Sequence, residues 1–287
     1  MTLPDYLQQH YTLATAKAYE REIEIYKSNC KQADKAVYKD ILDYIGSLRQ
    51  RYSKAATISR IVSSIKVYYD YLCSENTRND NPAKAIKLRD KQSRDIQLQD
   101  LFTTDELQAL LTRKERYHHL DYRNKVLMSL LIYQGLHPRE MEVLTVQDVN
   151  LTTGIIYIKS TAKTNARTLP LKPNQILLFY EYIHEKRNNL LNGNGLNSLL
   201  IGIRGIAMKA EDITKHVKRS FKETYPGRKV NAQTIRQSII TNLLKQGHDL
   251  SIVQSFAGHK YPSATQRYRQ QEVETLKAAV NKYHPLQ

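Results

Sequence analysis

Cysteine is scarce in this sequence of 287 residues, and long apolar runs are absent. The two cysteines, Cys30 and Cys73, are too few for a disulfide framework and indicate a reducing compartment. No CxxC or His-rich pair indicates a metal site. The apolar runs are too short to cross a bilayer, and the polar Met1 end has no secretory apolar segment. These absences argue against an exported or membrane-embedded protein.

Acidic residues are also outnumbered by basic ones. The chain has 44 Lys and Arg against 28 Asp and Glu, which gives a formal net charge of +16. The cations are spread through the chain and not gathered in a tail. Such an excess indicates a polyanionic partner, with nucleic acid as the best fit, while a solvated basic surface is the alternative.

Hydrophobic spacing predicts a mainly α-helical protein with a small β-sheet. A length of 287 residues favours about two domains. Apolar residues recur every three to four positions through residues 1–85, most clearly at 55–72. The period changes to two at 155–158 and 167–171, on either side of a polar turn. We predict a helical domain at 1–85, a basic linker at 86–101 and a second domain at 102–287.

The connector between these domains carries a cluster of cations. A segment this basic could lie along a DNA phosphate backbone, and a plain solvated hinge is an equal alternative. The candidate DNA-binding residues are Lys84, Lys87, Arg89, Lys91 and Arg94.

The last sixth of the chain places Arg236, Gly258-His259 and Tyr268 in order on predicted helices. Cutting a phosphodiester by covalent catalysis needs a nucleophile, cations near the non-bridging oxygens and an acid for the leaving oxygen. An arginine can give a phosphate two hydrogen bonds at once. Tyr268 follows His259 by nine positions. This pattern resembles the second signature box of the tyrosine recombinases, also called the phage integrase family.

The resemblance implies a role for each of these residues. Tyr268 would be the nucleophile, and Arg236 and His259 would contact the scissile phosphate. Lys163 lies in the turn between the two predicted strands and resembles the hairpin lysine that protonates the leaving 5′-oxygen. Lys159 is the reserve candidate, and an ordinary exposed lysine remains an alternative for either.

Two glutamines depart from the family pattern in the second box. Gln233 stands where the family has a histidine, three positions before Arg236, and Gln237 replaces the histidine that often follows the arginine. A glutamine amide can donate a hydrogen bond to a phosphate but cannot carry a proton. The pattern therefore predicts a phosphate contact at Gln233 and excludes acid–base catalysis there.

The first box departs more clearly. The matching segment is Gly135-Leu136-His137-Pro138-Arg139-Glu140-Met141-Glu142-Val143-Leu144. Alignment on its first two residues, Glu140 and Leu144 puts His137 where the family has its first catalytic arginine. Either His137 acts as a cation, or Arg139 supplies the charge, or the phosphate is held less tightly.

The resemblance also implies the setting of the reaction. It implies a clamp around double-stranded DNA, a homo-tetramer, a 3′-phosphotyrosyl intermediate, and neither metal nor other cofactor. Residues 1–85 resemble the family's core-binding domain, and the tail after Tyr268 would dock on a neighbouring protomer or on its own domain. We predict a site-specific recombinase or integrase of the bacterial cytoplasm and nucleoid, serving integration or transposition of a mobile genetic element or the resolution of chromosome dimers. The rival hypothesis is a DNA-binding architectural or regulatory protein on the same fold with cleavage weakened or lost.

Overall fold

The computed structural model describes residues 1–90, 100–113, 115 and 117–268. The chain forms two compact units, Met1–Arg94 and Asp95–Gln287, each with a buried apolar cluster. Helices dominate both units, and the described part of the second unit adds a small antiparallel sheet. The predicted fold class is therefore confirmed.

The first unit is a bundle of helices. They are α1 Leu3–His10, α2 Leu13–Asn29, α3 Tyr38–Arg51 and α4 Ala55–Ser74. Helix α4 begins at the residue that the spacing of its apolar positions predicts, and α2 packs along it. Apolar residues repeated every three to four positions lie on one side of a helix, so such helices bury these sides against one another.

Buried tyrosines occupy the centre of this bundle. The hydroxyls of Tyr26 and Tyr69 are 2.7 Å apart, and Tyr69 donates to the Ala33 carbonyl at 2.7 Å. Because Tyr69 donates its proton to that carbonyl, it accepts the proton of Tyr26. Both phenols are therefore hydrogen-bonded inside an apolar core, which removes the cost of burying them.

The first part of the predicted linker packs against the core of this unit. Ile86 is buried there, and Leu88 packs against the same cluster. Lys84, Lys87 and Arg89 are exposed. The remaining two predicted contacts, Lys91 and Arg94, lie outside the described residues.

The second unit is built from a longer series of helices. They are α5 Thr104–Leu111, α6 His118–Tyr133, α7 Pro138–Glu142, α8 Pro173–Glu181, α9 Arg187–Leu191, α10 Ala210–Phe221, α11 Ala232–Lys245 and α12 Leu250–Ala257. A π-helical segment, Tyr182–Lys186, joins α8 to α9. Helix α6 is apolar on most sides and packs against α5, α8 and α11, so it forms the centre of the core.

The sheet follows α7 and consists of β1 Val149–Asn150, β2 Ile155–Ile158 and β3 Arg167–Pro170. The strands are antiparallel in the order β1-β2-β3, with Ile156 opposite Leu169. Ile156 and Ile158 are buried, whereas Ile155 and Tyr157 are exposed. This alternation is the period of two that predicts the strand. The turn that contains Lys163 joins β2 to β3.

Within the described ranges, no helix has the length and apolarity needed to cross a membrane. In the same ranges, no group of three or more His, Cys, Asp or Glu side chains is arranged to hold a metal ion.

Candidate active site

A tight turn and a short helix build the segment that resembles the first box. Gly135 has a φ of +59°, a backbone conformation that favours glycine. His137 is the N-cap of α7, and its Nδ1 accepts a hydrogen bond from the Arg139 amide at 3.2 Å. The Glu140 carboxylate accepts one from the His137 amide at 2.8 Å. This capping box holds the imidazole with Nδ1 against the backbone.

Glu140 holds two buried arginines. Its carboxylate receives two hydrogen bonds from the Arg167 guanidinium, at 2.7 and 3.2 Å, and lies 3.8 Å from the Arg236 guanidinium. The side chains of Glu140, Arg167 and Arg236 are 0%, 7% and 5% exposed. Burial by itself raises the pKa of Glu140, but the hydrogen bonds and charge of Arg167 lower it below the ordinary value. The carboxylate is therefore ionised at neutral pH and balances the charge of the arginines.

Arg236 projects from the first turns of α11. Asn231 caps this helix, because its side chain accepts a hydrogen bond from the Thr234 amide at 3.0 Å. The Arg236 guanidinium donates to the carbonyls of Gly135 and Ala257, which belong to the first-box turn and to the end of α12. These contacts use two of its five N–H groups. The remaining donors give the side chain the capacity to bind a phosphate while the two carbonyls fix its position.

The Gly258-His259 pair lies where α12 ends. Gly258 has a φ of +68°, and a Cβ atom there would overlap the Arg167 guanidinium, so only glycine fits. Its carbonyl accepts a hydrogen bond from the Asn165 amide at 2.8 Å. His259 pairs with Thr164 in an isolated antiparallel bridge. The β2–β3 turn is thereby attached to the segment that carries His259.

Lys163 lies in that turn, next to the bridge. The Thr161 hydroxyl accepts from the Lys163 amide at 3.2 Å and shapes the turn, while the lysine side chain is exposed. Lys159, the reserve candidate, forms a salt bridge with Asp148 at 3.0 Å. Between the two lysines, Lys163 is the one near His259.

His259 and Tyr268 lie side by side. Their rings are stacked, with centroids 6.3 Å apart and planes inclined by 12°. The His259 Nδ1 lies 2.8 Å from the Thr265 hydroxyl oxygen. Burial first, and then the positive charge of Arg236, lower the pKa of His259 to about 4. The imidazole is therefore neutral at physiological pH. One ring nitrogen carries a proton and donates a hydrogen bond, and the other accepts one.

Tyr268 itself is buried in a small apolar cluster. It is 1% exposed and packs with Ile240 of α11 and with Val253 and Ala257 of α12. Residues 262–268 are helical. The two helices that present Arg236 and Gly258-His259 thus also pack against the tyrosine.

A cleft of about 420 Å³ opens beside this group, between the first turns of α7, α10 and α11. His137, Arg139 and Gln233 line it, and α10 contributes Glu211 and Lys215 to the lining. The side chains of Arg139 and Gln233 are exposed. Burial, followed by the charge of Arg236, lowers the pKa of His137 and disfavours its cationic form. The positive charge in the cleft is therefore better supplied by Arg139 or Lys215 than by His137.

The second unit therefore gathers most of the predicted site residues. Arg236, His259, Tyr268 and the Lys163 turn form one group, and the cleft with His137, Arg139 and Gln233 adjoins it. Of the connector cations, Lys84, Lys87 and Arg89 are described and belong to the first unit, whereas the group above is built from residues of the second.

The family model described as the phage integrase family matches residues 100–275, well over half of the chain. The chain belongs to the phage integrase family. It is therefore a tyrosine recombinase, an enzyme that cleaves and rejoins DNA at specific sites. The recombinase resembles the tyrosine recombinase XerD of Oceanobacillus iheyensis, with 29% identity over 278 residues that cover 94% of this chain and 92% of the relative. It is 27% identical to the tyrosine recombinase XerD of Staphylococcus haemolyticus, again over 94% of this chain and 92% of the relative.

Solved structures agree on the fold of the recombinase. The Tn1549 transposon integrase in complex with transposon right end DNA superimposes with a TM-score of 0.69 at 16% identity, covering 99% of each chain. The XerH site-specific recombinase bound to palindromic difH substrate gives a TM-score of 0.70 at 21% identity, covering 90% of this chain and 76% of that one.

Sequence reasoning gave no role to Arg167, nor to Glu140 beyond its place in the first-box pattern. The two lie 27 positions apart, and only the fold joins them in a buried salt bridge. The available signal was weak: one arginine at the start of a strand whose other residues are apolar or neutral. A charged residue at a strand end is ordinary at the surface, so its burial could not be read from the chain.

Removing the exposed cation at Arg139 is expected to slow DNA cleavage. If Arg139 supplies the charge that the first box lacks, Arg139→Ala should cost about 2 to 4 kcal/mol of transition-state stabilisation. His137→Ala should leave that charge in place and cost less. Single-turnover cleavage at saturating protein measures the chemical step apart from binding. Arg204→Ala, which removes an exposed arginine from the 202–206 turn of the same unit, is the matched control. A parental rate in Arg139→Ala would contradict the idea, whatever the rate of His137→Ala.

Proposed function

We propose that this recombinase cuts double-stranded DNA by attack of the Tyr268 phenol oxygen on a backbone phosphorus. A P–O bond to tyrosine forms as the P–O5′ bond breaks, which leaves a 3′-phosphotyrosyl link and a free 5′-hydroxyl. The phenol proton passes to water, and Lys163 donates the proton that the 5′-oxygen takes up. One phosphodiester replaces another, so rejoining by the reverse attack needs no cofactor or metal.

The observation that carries this proposal is the grouping of Arg236, His259, Tyr268 and the Lys163 turn within the second unit. Arg236 and His259 supply N–H donors for the non-bridging oxygens, which gain negative charge in the transition state. A buried donor is worth more there than in water, because the surroundings screen it less. The stacking of the His259 and Tyr268 rings, with centroids 6.3 Å apart, supports contact of both side chains with the same phosphate.

Other cations would hold the duplex. Arg139, with Gln233 beside it, lines the cleft next to the reacting group and is suited to the same or a neighbouring phosphate. In the first unit, Lys84, Lys87 and Arg89 are exposed and would add contacts along the backbone. Lys91 and Arg94 of the connector would extend them. Such contacts give affinity without sequence information, so base recognition rests on other residues.

The assembly and setting form part of the same proposal. The enzyme would act as a homo-tetramer on DNA, joined through the tail after Tyr268, which lies outside the described residues. It would act on the nucleoid in the bacterial cytoplasm. The domains would be a DNA-binding unit at 1–85, a linker at 86–101 and a catalytic unit at 102–287. One similar protein is named as a XerD recombinase and another as a transposon integrase. Both kinds of recombination are therefore compatible with the proposal.

A nicked duplex that traps the cleaved state tests the chemistry. The nick lies just downstream of the scissile phosphate, so the short 5′-hydroxyl strand diffuses away and rejoining stops. With a strand labelled on its 3′-phosphate side, we expect an adduct that survives denaturation, disappears on proteolysis and carries DNA joined through its 3′ end.

The polarity of the adduct decides among the outcomes. An adduct joined through a 5′-phosphate would contradict the proposed attack. Binding of the cognate duplex without any adduct would favour a DNA-binding protein on this fold that no longer cleaves. A mass spectrum of the adduct peptide should place the DNA on the peptide that contains Tyr268.

A further inference from the structure

A hydroxyl in the helical segment of the nucleophile contacts the ring of His259. The Thr265 Oγ1 lies 2.8 Å from the His259 Nδ1. Thr265 is fully buried, so water does not compete for this contact. It precedes Tyr268 by three residues in the helical segment 262–268, and residues at that spacing share a face. The hydrogen bond therefore ties the imidazole to the segment that carries the nucleophile.

The direction of this hydrogen bond follows from the surroundings of the hydroxyl. A helical threonine often donates to the carbonyl four residues earlier, as Thr214 does to Ala210 at 2.8 Å. The Thr265 hydroxyl makes no such bond within the described part of the chain, where its partner is the His259 Nδ1. Buried hydroxyl protons are directed to an acceptor. The proton of Thr265 therefore points at Nδ1, and Nδ1 is the acceptor.

The state of the ring then follows. A neutral imidazole carries its proton on one nitrogen and accepts at the other. His259 is buried beside Arg236, so a second proton on the ring is disfavoured and the neutral form persists. With Nδ1 accepting from Thr265, the proton of the ring resides on Nε2.

We propose that Thr265 is a positioning residue that fixes His259 as the Nε2–H tautomer, so that His259 donates a hydrogen bond to the scissile phosphate. The same tautomer has no free lone pair on the ring, so His259 does not accept the proton of Tyr268. This assignment rests on the proposed phosphotyrosyl chemistry for its consequence, but the tautomer itself is a property of the free protein.

The tautomer can be read without DNA. In the full-length protein with ¹⁵N-labelled histidine, the resonances of His259 are assigned by their loss in His259→Gln. At pH 7.5 we expect Nδ1 to resonate as an unprotonated nitrogen and Nε2 as a protonated one. In Thr265→Val, which keeps the shape and removes the hydroxyl, the two forms should mix or reverse. A protonated Nδ1 in the parental protein would overturn the proposal, whether or not the protein cleaves DNA.

Cleavage by three variants supplies the second measurement. Thr265→Val should slow single-turnover cleavage by about tenfold, which is the scale of one buried hydrogen bond. Thr265→Ser keeps the hydroxyl and should restore most of the rate. Ser263→Ala changes an exposed residue in the same helical segment and should have no effect. If Thr265→Val cleaved at the parental rate while Thr265→Ser was slow, with parental melting temperatures for both, the methyl packing of Thr265 and not its hydroxyl would be responsible, and the proposal would fail. Absence of cleavage in the parental protein would instead count against the proposed function.

Discussion

Replacing Tyr268 with phenylalanine is expected to abolish the covalent protein–DNA adduct and to leave DNA binding unchanged. Phenylalanine keeps the ring that packs with Ile240, Val253 and Ala257, so the fold around it should persist. It lacks the phenol oxygen that forms the bond to phosphorus. Without the nucleophile the covalent intermediate cannot form, so the reaction is blocked and not only slowed. We therefore expect adduct and strand cleavage below detection on the nicked duplex.

The matched control is Tyr261→Phe. Tyr261 lies seven positions earlier, just before the helical segment 262–268, and is 71% exposed, so its hydroxyl is not part of the buried group around Tyr268. It should cleave at the parental rate. Binding of both variants is compared at one salt concentration, because phosphate contacts make affinity depend steeply on salt. Adduct formation by Tyr268→Phe at the parental rate would refute the assignment of the nucleophile, whatever the other tyrosines do.

Replacing Glu140 with glutamine is expected to destabilise the second unit strongly. The carboxylate is fully buried and balances the charge of Arg167 and, at 3.8 Å, of Arg236. Removing one partner of a buried ion pair leaves an uncompensated charge in a low-dielectric interior, which costs about 3 to 5 kcal/mol. Urea unfolding followed by circular dichroism measures this difference. Cleavage should fall as well, because Arg236 loses part of the support that orients it.

The effect of Glu140→Gln should depend on pH in a defined direction. The pKa of Glu140 in the folded protein is lowered below its ordinary value, chiefly because Arg167 offsets the effect of burial. A carboxylate of this kind stabilises the fold above its unfolded-state pKa, and the contribution is lost as the pH falls through the folded-state pKa. The difference between parent and variant should thus be largest near neutrality and shrink in acid.

Glu142→Gln provides the comparison for this variant. Glu142 lies in the same short helix, and no salt bridge joins it to another described residue. Its free energy of unfolding should change by less than about 0.5 kcal/mol, as for a substitution away from buried pairs. A loss of stability as large in Glu142→Gln as in Glu140→Gln would show that helix α7, and not the buried charge pair, is sensitive to substitution.

Much of the site was readable in the sequence because its parts are close together along the chain. Arg236, Gly258-His259 and Tyr268 fall within 33 consecutive positions. The spacing of the apolar residues around them predicts the helices on which they lie. The hairpin was readable for the same reason, since β2 and β3 are neighbours in the chain and alternate in polarity. The family resemblance then predicted a chemical role for each of these residues and showed the departures at Gln233 and His137.

The sequence by itself determined the fold class, the family and the order of the predicted site residues. The tertiary structure decided which charges meet. Arg167 and Glu140 are joined by burial, and Arg236 is held by the carbonyls of two segments that are distant in the chain. The tautomer of His259 depends on a 2.8 Å contact with Thr265. Local patterns set backbone conformation through near neighbours, whereas ion pairing and proton position depend on desolvation and distance, which only the packed chain fixes.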